Sequence, residues 1–375
     1  MPAMDSFPNF LYGATFSSFD ELDDDDFRNY SAFNVNDTSN FVCLGSFLEN
    51  SSEKVVTFEK IFSFVYMLVF LMGIIGNGLV LLVLLRHHHL RSTTDNFLLH
   101  LAVADLLMLI TFPFSASESV FGWIFGDFMC KTVGVLFHLN FFCSSLLLGC
   151  ISVDRYLAII HAIHSFKTRN GMAVYLPCFG VWVFCFLLSI PNIFFIGTQT
   201  NGNLTDCMYH QKHFPSNGWW QANRFLMHVV GFLCPILLMG FCYAHIVAAL
   251  YKSTRREKKR AVRIAVVITG VFFLCWTPYN VALFLDTLEQ LGWLQNCMIR
   301  EQLPTAILVT DFLGSVHCCL NPILYAFVGV KFRNDAIRVL QQAGCLSRQM
   351  LGKNNAPDRK SSIMDSETGT VMSNF

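Results

Sequence analysis

Seven runs of apolar residues follow one another along the chain, at approximately 60–86, 95–120, 131–156, 172–196, 222–250, 262–287 and 304–330. Each is long enough for the roughly 20 residues that a helix needs to cross a hydrocarbon core. Polar residues collect between the runs. Within them the apolar positions are continuous rather than alternating, so they read as helices and not as the strands of a membrane barrel. Pro113, Pro191, Pro235, Pro278 and Pro322 fall within or near the end of five runs. Each removes a helical hydrogen bond and bends the axis, which membrane helices tolerate. The pattern therefore predicts an all-α membrane protein, a seven-transmembrane helix bundle over residues 60–330, with an N-terminal arm at 1–59. Beyond it, Phe332, Ile337 and Leu340 are interspersed with Arg333, Arg338 and polar residues, which predicts a short amphipathic eighth helix on the inner surface over 331–345. Residues 346–375 have no apolar periodicity and are expected to be a disordered cytoplasmic tail.

Composition agrees: 54% of the residues are hydrophobic and only 14% charged, against roughly 25% charged in an average soluble domain. The formal net charge is zero, but its distribution sets an orientation. Residues 1–60 carry 11 acidic and 3 basic side chains, among them Asp20, Glu21 and the run Asp23, Asp24, Asp25 and Asp26. The loops after runs one, three and five hold Arg86 and Arg91, then Lys167 and Arg169, then Lys252, Arg255, Arg256, Lys258, Lys259, Arg260 and Arg263; the other loops are far poorer in cations. The positive-inside rule puts these loops in the cytoplasm and the N-terminus outside. The sequons at Asn29, Asn36, Asn50 and Asn203 all fall on the outer side, as glycosylation requires. No basic segment and apolar core opens the chain, so the first run is expected to direct insertion without a cleaved leader.

Fourteen cysteines are present. Cys143, Cys150, Cys178, Cys185, Cys234, Cys242, Cys275, Cys318 and Cys319 lie inside apolar runs, where they read as small packing residues. Cys43, Cys130, Cys207 and Cys297 form an even set near outer segments, and four cysteines allow three pairings. Cys345, at the end of the amphipathic helix, reads as a palmitoylation site or as a free cytosolic thiol.

Polar residues inside the runs carry the chemistry. Asp105 lies deep in run two, and Asn77, Asn140, Ser144, His317 and Asn321 are placed to converge on it. Such a set suits a sodium ion, with Asp105, Asn140, Ser144, His317 and Asn321 as its metal site, or equally a hydrogen-bonded network without one. Asp154-Arg155-Tyr156 ends run three at the inner face. Trp276 with Pro278, and Asn321-Pro322 with Tyr325, pair a helix bend with a bulky or hydrogen-bonding side chain, as hinges between two packings do. Asp, His and Cys show no nucleophile–base or metalloenzyme spacing, so catalysis is not expected. A transporter or channel is a poorer fit, because no inverted repeat or charged pore lining is visible.

In this order the motifs resemble the rhodopsin-like (class A) G-protein-coupled receptors over roughly residues 60–345. Asp154 to Ala162, Thr111-Phe112-Pro113 and His317-Cys318-Cys319-Leu320-Asn321-Pro322 carry a resemblance to the chemokine receptors, and three further passages, Phe97 to Asp105, Cys242 to Ile246 and Tyr325 to Arg333, to their C-X-C branch. The resemblance implies disulfides Cys130–Cys207 and Cys43–Cys297. It implies a ligand cavity lined by Tyr66, Glu118, Tyr279, Asp286 and Asp311, with Asp20 and Asp23 to Asp26 capturing a basic chemokine and Tyr12 and Tyr30 as sulfation candidates; a solvated arm is the plainer reading of that acidic run. It implies an activation switch built on Asp154, Arg155, Tyr156, Tyr243, Trp276, Pro278, Asn321, Pro322 and Tyr325, serving a heterotrimeric G protein of the inhibitory type and driving chemotaxis. Phosphorylated Ser and Thr in the tail would recruit arrestin, and the basic third loop would contact anionic lipid. No nucleic-acid partner is implied. A scavenging receptor with little G-protein signalling is the alternative within the family. One position departs from the family pattern: Ser115 stands two residues after Pro113 where a tryptophan is usual.

Overall fold

The computed structural model describes residues 51–86, 93–161, 172–201, 204–209, 218–251, 256–294, 296–328 and 330–342. Asp20 to Asp26, Tyr12, Tyr30, Cys43, Asn29, Asn36, Asn50, Asn203, Lys252, Arg255 and Cys345 lie outside them, as does the side chain of Cys297.

Among the described residues, seven helices are long and apolar enough to cross a membrane: Ile61–Arg86, Thr93–Phe121, Gly126–Ile160, Tyr175–Phe195, Trp219–Tyr251, Val262–Gln290 and Gln302–Ala326. Each falls on one of the predicted runs. Phe64, Ile75, Leu176, Phe179, Leu237 and Leu274 all face outward and are exposed, an exterior that matches lipid and not water. Span three is the axis of the bundle. It buries 78% of its most apolar stretch, whereas spans one, four and five bury 28% of theirs. A near-continuous row of its residues, Phe137 to Ser145, is inaccessible.

The prolines act as helix chemistry dictates. In span two the helix Thr93–Leu109 gives way to Phe112–Phe121 just before Pro113, and the Thr111 hydroxyl donates to the Met108 carbonyl at the break (2.6 Å). In span five a π-helical segment, Met227–Leu233, precedes Pro235. In span seven Pro322 has no N–H to offer the carbonyl of Cys318, four residues earlier. Asn77 of span one supplies the missing donor, its Nδ2 lying 2.9 Å from that oxygen.

Between spans four and five the chain forms a hairpin of β1 (Ile196–Asn201) and β2 (Leu204–Tyr209), antiparallel, with Thr198 opposite Cys207. A disulfide joins Cys207 to Cys130 at the outer end of span three. It anchors the hairpin over the bundle, where Trp123, Val133, Phe195, Ile196, Tyr209 and Trp220 pack around it.

The eighth helix is present over Val330–Gln342, and it meets span one through residues other than the apolar ones read from its periodicity. Ala336 and Val339 bury against Val83 of span one, with Phe332 and Leu79 beside them, whereas Ile337 and Leu340 are only half-buried. Small and β-branched residues make the close contact, and the larger ones flank it. The Arg86 guanidinium donates to Oε1 of Gln342 (3.1 Å) and closes the seam.

Candidate functional site

Three layers of polar and aromatic residues lie along the bundle axis: an acidic outer cavity, an aromatic and polar centre, and a charged inner end.

At the outer layer the break before Pro113 turns the last helix of span two so that Glu118 points beneath the hairpin. Its Oε1 accepts the backbone N–H of Cys207 (2.9 Å), so the disulfide also fixes this carboxylate. Tyr66 of span one lies edge-on to Phe112 and Phe312, with ring centroids 5.3 and 4.9 Å away. It is within electrostatic reach of Asp311 and Glu118. Asp311 is buried, and one of its oxygens has no hydrogen-bond partner among the described residues. Asp206 of β2 is buried nearby, and exclusion from water raises its carboxyl above the ordinary range. Ser115, in the place of the usual tryptophan, donates its backbone N–H to the Thr111 carbonyl (3.3 Å) and accepts the Ser119 hydroxyl at its own carbonyl (3.0 Å).

Asp286 is not an open acid. Its Oδ2 accepts Nη1 of Arg224 at 2.5 Å, and Gln290 donates to the same oxygen (3.0 Å). The guanidinium lies 4.2 Å over the Trp220 ring. This latch between the outer ends of spans five and six went unnoticed in the sequence, although a lone cation one helical turn after a tryptophan in an apolar run is a readable signal for it.

Trp276 is the hub of the centre. Fully buried, it packs against Phe137, Phe141, Phe272, Tyr279 and His317 at centroid distances of 5.8, 4.9, 6.2, 5.5 and 5.6 Å. Pro278, inside the same helix, gives the hub its bend. Just below, Asn321 Nδ2 donates to Asp105 Oδ2 (2.8 Å) and Asn140 Nδ2 to Asp105 Oδ1 (3.3 Å). Asn140 also approaches Ser144 Oγ at 3.4 Å. His317 Nε2 stands 3.7 Å from Asp105 Oδ1. Asn77, expected to join this cluster, instead serves the carbonyls of Gly73 and Cys318; the orphan acceptor left by Pro322 claims it. Cys318, expected to be a packing residue, belongs to the cluster: Asp105, His317 and Cys318 bring one ligand atom each within 4.8 Å of one another. The sequence signal was its position next to His317.

At the inner end Arg155 is paired with Asp154, Nη2 to Oδ2, at 2.6 Å. Thr94 of span two receives a second hydrogen bond from the guanidinium and donates its own proton to Asp154 (2.7 Å). Tyr243 bonds Thr269 of span six (3.1 Å), and Tyr156 packs against His161, Phe241 and His245. The Tyr325 hydroxyl is buried without a partner among the described residues, its ring 5.9 Å from that of Phe332. The arginine is thus held to its neighbour and to span two.

Seven spans around such a motif set define a receptor of the rhodopsin type, and residues 76–325 match the family described as 7 transmembrane receptor (rhodopsin family). The chain is 44% identical to the human C-X-C chemokine receptor type 5 over 351 residues, which is 91% of this chain and 93% of that receptor. It is 44% identical to the human C-X-C chemokine receptor type 3 over 300 residues, 79% of this chain and 80% of that receptor. To the chimpanzee (Pan troglodytes) C-X-C chemokine receptor type 2 it is 40% identical over 294 residues, 78% and 82% of the two chains. The chain belongs to the rhodopsin family of seven-transmembrane receptors and, within it, to the C-X-C chemokine receptors. It is a multi-pass protein of the plasma membrane and a receptor rather than an enzyme. Read alone, the three passages of the C-X-C branch resemble the type-three receptor most; the type-five receptor matches more of the chain at the same identity.

Proposed function

We propose that this receptor binds a basic C-X-C chemokine at its outer face and converts that binding into activation of a heterotrimeric G protein of the inhibitory type, and so into chemotaxis. The observation that carries the reading is Asp311, a buried carboxylate with an oxygen lacking a partner among the described residues. An acid in that position favours a cationic group arriving from outside. Glu118 and Asp206 add to the same negative field, and the acidic arm carrying Asp20 and Asp23 to Asp26 extends it for electrostatic steering.

Transmission follows from the stacking of the three layers. A ligand that reaches Asp311 meets span seven three residues before Gly314, which touches the Trp276 ring. Trp276 in turn packs on span three through Phe137 and Phe141. A ligand that binds one packing of these rings more tightly shifts the bundle toward it. At the inner end the shift releases Arg155 from Asp154 and Thr94 and moves Tyr243, opening a crevice for the G protein. Phosphorylation of the tail then supplies the negative charge that arrestin reads.

The test is a panel of chemokines applied to cells expressing this chain, read by G-protein activation, with Arg155→Ala alongside. The expected outcome is a response to one or a few C-X-C ligands that Arg155→Ala abolishes while surface binding persists. Binding and internalisation without G-protein activation in the unmodified chain would establish scavenging instead.

A further inference from the structure

We propose that Cys143 of span three and Cys185 of span four form an oxidation site within the membrane, where hydrogen peroxide joins the two thiols as a disulfide. The proposal stands independently of the ligand reading above.

Spans three and four each carry two cysteines seven residues apart, Cys143 and Cys150 on one and Cys178 and Cys185 on the other. Seven residues make close to two helical turns, so the sulfurs of each span share a face, about 10.5 Å apart along the axis. Successive spans run in opposite directions. Seven residues down one therefore match seven up the other, and a register that sets Cys143 against Cys185 also sets Cys150 toward Cys178. The structure has this register. The Cys143 thiol is hydrogen-bonded to that of Cys185, and Cys150 lies within electrostatic reach of Cys178 and Cys185. Cys143 and Cys185 are free thiols and both are 0% exposed.

Burial decides which chemistry the pair can do. A thiolate or a sulfinate is costly where no water is at hand. A disulfide is neutral and has no donor to satisfy, so it is the oxidised product that suits the site. The oxidant must be small and uncharged, as hydrogen peroxide is. A lone buried thiol is inert because the thiolate is the nucleophile. Here the Cys185 S–H is placed to donate to the Cys143 sulfur as negative charge gathers on it. That sulfur attacks one peroxide oxygen, the O–O bond breaks, and the departing hydroxyl takes the thiol proton and leaves as water. The sulfenic acid so formed is in contact with its resolving thiol, which intercepts it before it climbs to sulfinic acid. The Cys185 sulfur attacks the sulfenic sulfur, the S–S bond forms, and the S–O bond breaks. The hydroxyl leaves with the Cys185 proton as a second water. Two thiols have lost two electrons, and one peroxide has gained them.

Phe141, two residues before Cys143, lies about 200° around the helix and so on the opposite face of span three. It packs there on Trp276, with ring centroids 4.9 Å apart. A link at Cys143 would brace this wall of the aromatic hub from behind, against span four.

The experiment uses the full-length receptor in lipid nanodiscs, treated with hydrogen peroxide, quenched, unfolded, alkylated and digested. Mass spectrometry should find a Cys143–Cys185 cross-linked peptide two hydrogens lighter than its parts. The separately alkylated Cys143 and Cys185 peptides should be lost in proportion. The unfolding midpoint of the oxidised receptor should rise by several degrees, and neither change should occur in Cys143→Ala or Cys185→Ala. Both thiols remaining alkylatable, a Cys143 sulfinic acid without a cross-link, or a cross-link that runs through Cys150 instead would each overturn the assignment. Should neither variant fold, the peptide map of the unmodified chain decides: the Cys143–Cys185 cross-link supports the pair and its absence refutes it.

Discussion

At Gly314 an added Cβ would lie 2.8 Å from Cε3 and 2.9 Å from Cζ3 of Trp276, and the indole has no space to retreat into, being enclosed by Phe137, Phe141 and Phe272. Gly314→Ala should therefore overpack the hub and lower stability by about 1–3 kcal/mol, read as a fall in the unfolding midpoint of the purified receptor. The Arg224–Asp286 pair makes a different kind of demand. With side chains 3% and 14% exposed, removing one partner strands a buried charge. Asp286→Asn alone should cost about 3–5 kcal/mol, whereas Arg224→Met combined with Asp286→Leu should recover most of that loss. A double-mutant cycle on thermal unfolding measures the difference; equal losses in single and double variants would contradict a buried pair.

Among the elements, the hairpin shows how one covalent link organises several polar groups. The disulfide sets Cys207, Cys207 sets Glu118 through its backbone N–H, and the register carries Asp206 into a buried position opposite Gln199. Burial raises the Asp206 carboxyl, so the folded state holds this proton more tightly than the unfolded chain does. The resulting destabilisation is absent below the unfolded carboxylate range, near 3.9, and grows as pH rises from there toward the folded value. Asp206→Asn should consequently unfold at a higher temperature than the parent at pH 7, with the gap closing as pH falls to about 4. The eighth helix illustrates where sequence pattern stops informing. Its existence was legible from its periodicity, but the face that docks is chosen by Val83 on the first span, which no local pattern contains.

For the whole molecule, the seven spans and their sidedness were legible because a bilayer imposes length and charge rules on each segment separately. The prolines were legible as bends; what fills each bend was not. Asn77 reads as a ligand for Asp105 until Pro322 is seen to strip the Cys318 carbonyl of its donor. Asp286 reads as a cavity acid, but its pairing with Arg224 of span five is not visible in the sequence. Both depend on which helices become neighbours, and a single sequence does not state that. The arm belongs to this scale too. Replacing Asp20 and Asp23 to Asp26 by Asn should slow chemokine association by on the order of tenfold at low salt, with the difference shrinking as salt screens the field. Stopped-flow association rates across a salt series measure it, and a salt-independent rate in the parent chain would rule steering out.

The first helix begins at Ser51, and Glu53, Lys54, Glu59 and Lys60 keep its first ten residues out of the hydrocarbon. Those extra turns rise about 15 Å at 1.5 Å per residue. The tether of the acidic segment is therefore mounted on a pedestal and not rooted at the lipid surface. A folded protein alighting on the rim would be met partway up its flank, leaving its underside, or an extended end, free to reach down between the helices.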